Sequence, residues 1–182
     1  MRYPREVFVE RIEKVFFLAM NNGYATEIVK EHVPGLPGSR LIKFEHEEEN
    51  HHWLVNDLFF VSPNSPHSSG ITTICYDSKP VWSMSYSGQY PEGAIPLLKQ
   101  ALQKAYRESK FFGGRGPAAH LPIDLPASEN FGEVYINCIG NGDFKNFWGT
   151  EQIVFCGSGL VIGYHQYRGG IMLPQQLQDW EK

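Results

Sequence analysis

Histidines and carboxylates gather most densely at residues 46–52, where the sequence reads HEEENHH. Such side chains can bind zinc, but a zinc protease needs two histidines four positions apart on one helix, with a glutamate between them. His46 and His51 are five positions apart, which on a helix turns their rings about 140° from each other. On a strand, His46 and His52 would share a face and His51 would not. The pattern therefore excludes a zinc-protease motif, and we expect a polar loop or strand end here, without a metal.

Bulky and hydroxyl side chains alternate in the predicted strand 81–90. The bulky positions are Trp82, Met84 and Tyr86, and the hydroxyl positions are Ser83, Ser85 and Ser87. Because neighbouring side chains of a strand point to opposite faces, one row is expected in the core and the other in solvent. The alternative is that the hydroxyl row or the aromatic row lines a pocket.

A glycine-rich stretch, Gly113–Pro117, follows the second predicted helix and contains Arg115. It lacks the Lys-Ser/Thr pair of a P-loop and the spacing of a dinucleotide-binding fingerprint. The glycines and prolines continue to residue 130, so residues 113–130 are predicted to be a long loop, either functional or mobile. We expect a flexible loop in which Arg115 is available to meet an anion or a carboxylate.

Signatures of nucleophilic catalysis are missing from the sequence. There is no Gly-x-Ser-x-Gly elbow, and no cysteine has a histidine near it in sequence. The carboxylates that could act as acids or bases are dispersed, at Asp57, Asp124, Glu133, Asp143 and Glu151. His165 lies between Tyr164 and Gln166 on a late strand, where a lone histidine is usually a hydrogen-bonded structural residue.

The elements that would position these groups follow from the periodicity of the apolar residues. Three- and four-residue spacing predicts helices over 4–22 and 94–109. Alternating or short apolar runs predict strands at 24–29, 41–44, 52–61, 71–76, 81–90, 131–139, 144–156 and 160–168. The links between neighbouring strands are too short for parallel crossovers. The sequence therefore predicts a single α+β domain over 1–182, a mostly antiparallel sheet of about six to eight strands with both helices packed on it.

Composition and charge narrow the classes of partner. The chain has 182 residues and a formal net charge of −4, without a basic cluster, so we expect no nucleic-acid partner. No apolar run reaches the length of a membrane span and no signal peptide is evident, so we expect a cytoplasmic protein without a membrane partner. The three cysteines, Cys75, Cys138 and Cys156, are widely spaced in apolar runs, which is typical of reduced thiols in a core.

A family resemblance emerges from the order of several short motifs. They are KPVWSMSYSG at 79–88, RGP at 115–117, YINC at 135–138, GDF at 142–144 and YRGG at 167–170, with Gly149, Glu151 and Ile153 between the last two. Over residues 16–171 the chain resembles the bacterial family named domain of unknown function 5680. It departs from that family's pattern at Thr72 and Thr73, where acidic residues are expected, and at Arg168, where histidine is common. The family has no established activity, but some members follow an XRE-type helix-turn-helix, which implies sensing of a ligand or a partner.

These observations favour a non-enzymatic small-molecule-binding or sensory domain that needs no cofactor. The residues expected to contact the ligand are Trp82, Tyr86, Arg115, Asp143, Trp148 and His165. Two alternatives remain open. One is a protein-interaction module that forms a homo-oligomer, and the other is an unrecognised hydrolase or metal-dependent enzyme that uses His165, Asp143 or the histidines of 46–52.

Overall fold

A computed structural model describes residues 4–23, 30–121 and 132–174. Two α-helices and eight strands make up the regular structure of these residues. In chain order they are α1 (Arg5–Gly23), β1 (Ser39–Glu48), β2 (His51–Val61), β3 (His67–Tyr76), β4 (Lys79–Gln89), α2 (Ile95–Arg107), β5 (Ala119–His120), β6 (Glu133–Asp143), β7 (Asn146–Phe155) and β8 (Leu160–Ile171). A short 3₁₀ turn, Glu92–Ala94, leads into α2. Neither helix is long and apolar enough to cross a membrane, a finding that covers the described residues only.

One antiparallel sheet contains all eight strands, in the order β1-β2-β3-β4-β8-β7-β6-β5. The sheet consists of two meanders, β1–β4 and β5–β8, that are joined where β4 pairs with β8. Two-residue turns connect β1 to β2, β3 to β4 and β6 to β7. In two of these turns consecutive residues, Glu49-Asn50 and Asp77-Ser78, have positive φ, as the two-residue hairpin turns that suit twisted strands require. The predicted α+β architecture, with its antiparallel sheet and two helices, is confirmed.

Both helices pack on the same face of the sheet, called here the covered face. The apolar stripe of α1 is fully buried at Ile12, Val15 and Phe16, and the stripe of α2 is fully buried at Ala101 and Ala105. Aromatic rings join the two helices to the sheet, because Phe16 lies 5.2 Å from Trp82 and 6.0 Å from Tyr106, centroid to centroid. The opposite face, called the open face, is not covered by any described residue and exposes Phe60, Ile71 and Trp148.

Alternation along β4 agrees with the sequence pattern. Trp82, Met84 and Tyr86 are buried on the covered face, while Ser85 and Ser87 are exposed on the open face. The strand prediction was too short in two places. Strand β3 begins at His67, four residues before the predicted strand 71–76, and β1 extends to Glu48, four residues beyond the predicted strand 41–44. Polar residues hide the strand pattern at both places, although the exposed face of an antiparallel strand accepts them. The strand predicted at 24–29 lies outside the described residues.

Two further predictions were wrong, one about the stretch 113–130 and one about the cysteines, which were expected in the core. The 113–130 stretch contains strand β5, and its first part is tightly held rather than flexible, as shown below. Cys138 points to the open face because its neighbours in β6 face inward, and Cys156 lies in the turn after β7. Both thiols are exposed and free, so only Cys75 is even partly buried.

Candidate functional site

One row of the sheet brings four polar side chains to the covered face. Strand pairing aligns Ser68 with Gly88, Gly88 with His165, His165 with Glu151 and Glu151 with Asn137. Because Gly88 has no side chain, Ser68 reaches across it, and its Oγ lies 3.1 Å from Nε2 of His165. A Cβ at position 88 would lie 2.8 Å from the imidazole Cδ2. The glycine therefore makes the contact between serine and histidine sterically feasible.

Glu151 is the buried carboxylate at the centre of this row. It has no solvent exposure, and Arg115 beside it is only 2 % exposed. The guanidinium Nε donates to Oε1 at 3.0 Å and Nη2 donates to the same oxygen. The hydroxyl of Tyr135 donates to the other oxygen, Oε2, at 2.7 Å. Both carboxylate oxygens thus have donors that hold the group in one orientation.

The loop that carries Arg115 is fixed from two sides. Asn137 Nδ2 donates to the carbonyl oxygens of Phe112 and Gly116, at 3.0 and 2.7 Å. The hydroxyl of Tyr106, on α2, donates to the carbonyl oxygen of Gly114 at 3.1 Å. The expectation that Arg115 sits on a flexible loop is therefore wrong, because buried side chains satisfy the loop's carbonyl groups.

Burial and the ion pair set the charges of the row. Burial is the largest single influence and raises the pKa of Glu151, but the charge and hydrogen bonds of Arg115 together with the contact of His165 outweigh it, and the pKa falls to about 2. Burial lowers the pKa of His165, so its imidazole is neutral at neutral pH. Burial, with the Glu151 charge beside it, raises the pKa of Tyr135 well above the ordinary value. The row therefore holds an ionised pair, a neutral imidazole and a phenol that keeps its proton.

Two buried polar atoms next to this row lack hydrogen-bond partners among the described residues. His165 Nδ1 lies 3.4 Å from Glu151 Oε1, without the alignment of a hydrogen bond. The hydroxyl of Tyr90, whose ring packs edge-on against His165 at 4.8 Å, is the second such atom. A buried donor without a partner costs about 1–3 kcal/mol, so a polar group that paired with either atom would be stabilising.

A second buried group lies beside the row and is connected to it by Tyr86. The Tyr86 hydroxyl and the Thr72 hydroxyl both donate to Asp57 Oδ1 at 2.9 Å. The Tyr86 ring lies 5.5 Å from the Arg115 guanidinium and 5.7 Å from the His165 ring. Thr72, one of the positions that departs from the family's pattern, thus supplies a donor to a buried carboxylate.

Two adjoining depressions on the open face form a shallow groove, the open-face groove. They enclose about 750 and 870 Å³ and share Phe60, Ser69, Ser87 and Gln166. Trp148 and Arg168 line the larger depression, and Ser68 lines the smaller one. Among the described lining residues Arg168 has the one charged side chain, and no carboxylate is present. The groove therefore offers hydroxyls, the side-chain amides of Asn146 and Gln166, and aromatic rings.

Three of the six residues predicted to bind a ligand come together on the covered face. These are Tyr86, Arg115 and His165, all largely buried. Tyr86 and His165 lie on strands that the sequence predicted, whereas the burial of Arg115 was not predicted, because a flexible loop was expected there. Two partners, Glu151 and Ser68, were not among the predicted site residues. For Glu151 a signal existed, since it occupies an inward position between Gly149 and Ile153 of β7.

The other three predicted residues lie elsewhere. Trp82 is fully buried and stacks on Phe144 and Phe147, so it belongs to the core. Trp148 is on the open face and is 57 % exposed. Asp143 is exposed at the end of β6, where its Oδ1 accepts from the backbone N–H of Lys145 at 2.9 Å.

The histidines of 46–52 make ordinary surface contacts. His51 Nδ1 lies 2.7 Å from Asp77 Oδ2, and His52 Nε2 lies 3.6 Å from Glu45 Oε2. Within the described ranges, no three histidine, cysteine or carboxylate side chains are grouped closely enough to hold a metal ion.

Comparison with known proteins gives one positive result. No curated protein and no solved structure matches the chain significantly. A family model described as "Domain of unknown function (DUF5680)" matches residues 64–172, which is more than half of the sequence and includes β3 to β8. The polar row, from Ser68 to His165, falls entirely within these residues. The chain therefore belongs to the DUF5680 family of domains of unknown function.

Proposed function

We propose that this protein binds a small, uncharged, polyhydroxylated molecule, of the size of a sugar, in the open-face groove. The observation that carries the proposal is the chemistry of the groove lining. Hydroxyls of Ser69, Ser85 and Ser87 and the amide of Gln166 offer both donors and acceptors without charge. Such groups suit a ligand that presents its own hydroxyls.

Aromatic side chains supply the apolar part of the contact. Trp148 is 57 % exposed and Phe60 is 37 % exposed, both on the open face. A large ring left in solvent next to hydroxyls is an unfavourable arrangement unless something packs on it, since burying apolar area contributes roughly 25 cal/mol per Å². A sugar ring, with an apolar face and polar edges, satisfies both kinds of group at once. Binding without catalysis would make the protein a sensory or carrier domain.

Charge excludes the main competing ligand classes. Arg168 is the one charged side chain of the described lining, which is too little positive charge for a polyphosphate or a nucleic acid. The part of the lining that the structure describes has no carboxylate to receive an ammonium group. A neutral ligand therefore fits best.

The test is an NMR titration of ¹⁵N-labelled protein with glucose and N-acetylglucosamine, with glucosamine hydrochloride and sodium glucuronate as charged analogues. We expect the neutral sugars to shift the Trp148 indole and the Gln166 amide signals, and Trp148→Ala to weaken the response at Gln166 at least tenfold. The matched control is Leu160→Ala, an exposed apolar side chain in neither depression, which should bind like the unmodified protein.

Three results would count against the proposal. The first is an absence of shifts at millimolar sugar, and the second is a set of shifts away from the groove. The third is a dimer, seen by native mass spectrometry, that Trp148→Ala dissociates. That result would favour the alternative in which the open face binds a second copy of this chain.

A further inference from the structure

Ser68 differs from the other serines of β3 and β4 in its surroundings. Ser69, Ser85 and Ser87 face the open side of the sheet, whereas Ser68 faces the covered side and contacts an imidazole nitrogen at 3.1 Å. It is nevertheless partly exposed, because it lies at the end of the sheet, where the smaller depression of the groove extends to the loops that hold Gly38 and Ser62. A serine that combines a basic neighbour with access from solvent has two properties required of a nucleophile.

The imidazole is oriented to accept the serine proton. His165 Nδ1 faces Glu151 Oε1 at 3.4 Å, and because the carboxylate can only accept, the Nδ1–H tautomer is favoured. That tautomer leaves the lone pair of Nε2 directed at Ser68 Oγ. A small rotation of the imidazole would align Nδ1–H with Oε1, and catalytic hydrogen bonds are often long or poorly aligned before substrate binds.

Glu151 is fixed as the third member of this chain of contacts. Arg115 and Tyr135 hold its two oxygens and keep the carboxylate ionised, so it can stabilise a positive charge on His165. The order serine, histidine, carboxylate is the arrangement by which hydrolases on unrelated folds activate a serine. Arg115 and Tyr135 are positioning residues in this arrangement.

We propose that Ser68 is a nucleophile that His165 and Glu151 activate, and that the protein transfers the acyl group of a small uncharged ester to water. In the first step Ser68 Oγ bonds to the ester carbonyl carbon while its proton moves to His165 Nε2. The carbon–alkoxide bond then breaks, and the alcohol leaves with the proton from Nε2. In the second step water attacks the acyl-serine, Nε2 takes its proton and returns it to Ser68, and the acid is released.

This inference is independent of the sugar ligand proposed for the groove, since it stands on the contacts of Ser68. The uncharged lining of the smaller depression in its described part points to an ester of an uncharged acid and alcohol. A sugar that carries an acyl group would meet both proposals, but neither requires the other.

The test is covalent labelling of the purified full-length chain with a fluorophosphonate probe, which phosphonylates activated serines. Intact mass should show one adduct, and tandem mass spectrometry should place it on Ser68. Ser68→Ala should abolish it. The matched control is Ser83→Ala, a serine of β4 on the open face that lines neither depression, which should be labelled at the unmodified rate.

A second measurement uses a variant that lacks His165, the proposed general base. His165→Gln should lower the labelling rate at least about 100-fold, with circular dichroism used to confirm that the variant is folded. Should that variant not fold, Ser68→Cys gives the readout instead, and it should react with iodoacetamide faster than Ser69→Cys. No adduct on Ser68 in the unmodified protein, equal labelling of folded His165→Gln, or equal alkylation of the two cysteine variants would each overturn the proposal. None of these results depends on sugar binding, so the two proposals can fail separately.

Discussion

Removing the charge of Glu151 while keeping its shape should destabilise the protein strongly. In Glu151→Gln the carboxylate no longer neutralises Arg115, which is 2 % exposed in the folded protein. The two hydrogen bonds from the guanidinium lose their charged acceptor, and the Tyr135 hydroxyl loses one as well. Breaking one side of a buried ion pair costs about 3–5 kcal/mol. For a chain of this size that lowers the unfolding midpoint by roughly 6 to 20 °C.

The assay is thermal and urea unfolding, followed by circular dichroism, of four proteins in a double-mutant cycle. They are the unmodified chain, Glu151→Gln, Arg115→Met and the double variant. Because the two side chains touch, the double variant should lose less stability than the sum of the single losses, by about 1–3 kcal/mol. The matched control is Glu108→Gln, which removes the same charge from an exposed pair with Lys110 and should leave the midpoint unchanged.

Two results would refute this reasoning. If Glu151→Gln lowered the midpoint no more than Glu108→Gln, the ion pair would not be buried as the structure shows. If the losses in the cycle were simply additive, Arg115 and Glu151 would not interact, and Arg115 would not hold the carboxylate for His165.

Three further predictions concern the two tryptophans Trp82 and Trp148, the glycine at position 88, and the stability of the protein at acidic pH. Trp82→Ala should cost about 3–5 kcal/mol because the ring is fully buried, whereas Trp148→Ala should cost about 1 kcal/mol or less; urea unfolding measures both. Gly88→Ala should cost about 1–3 kcal/mol, because a Cβ there would lie 2.0 Å from a backbone carbonyl oxygen of β8 and crowd His165. The free energy of unfolding should fall as the pH drops below 6.5. Burial lowers the pKa of His165 in the folded protein, so in this pH range the unfolded chain binds a proton that the folded chain does not. The free energy of unfolding should fall further between pH 4.5 and about 2, where the lowered pKa of Glu151 has the same sign of effect.

Controls make these predictions specific. Gly93→Ala has no heavy atom within 4 Å of the added Cβ and should be tolerated, in contrast to Gly88→Ala. Equal losses for the two tryptophan variants would contradict the assignment of one ring to the core and the other to the open face. Stability that stayed constant or rose as the pH fell to 4 would contradict the buried neutral state of His165.

Half of the predicted site residues are neighbours in the structure, although no pattern in the sequence predicted that Arg115 is buried. Tyr86 and His165 occupy inward positions of strands, and Arg115 follows the second helix in a glycine-rich stretch. Trp82 and Trp148 looked alike, since composition does not say which face of a strand a ring occupies until the register is known. Asp143 was chosen as a carboxylate near motifs, although the predicted strands 131–139 and 144–156 already placed it in the link between them.

The sequence alone determined the types of the elements, the hairpin turns and the antiparallel character of the sheet. These depend on local properties, which are the period of apolar residues, the positive φ that turn residues tolerate and the length of the links. Only the tertiary structure decided which strands are neighbours. The pairing of β4 with β8 places Gly88 against His165, and through that gap Ser68 meets an imidazole 97 residues further along the chain. Contacts between residues so far apart in sequence form only when the two meanders pair into one sheet. That pairing depends on the packing of the whole core rather than on any one segment.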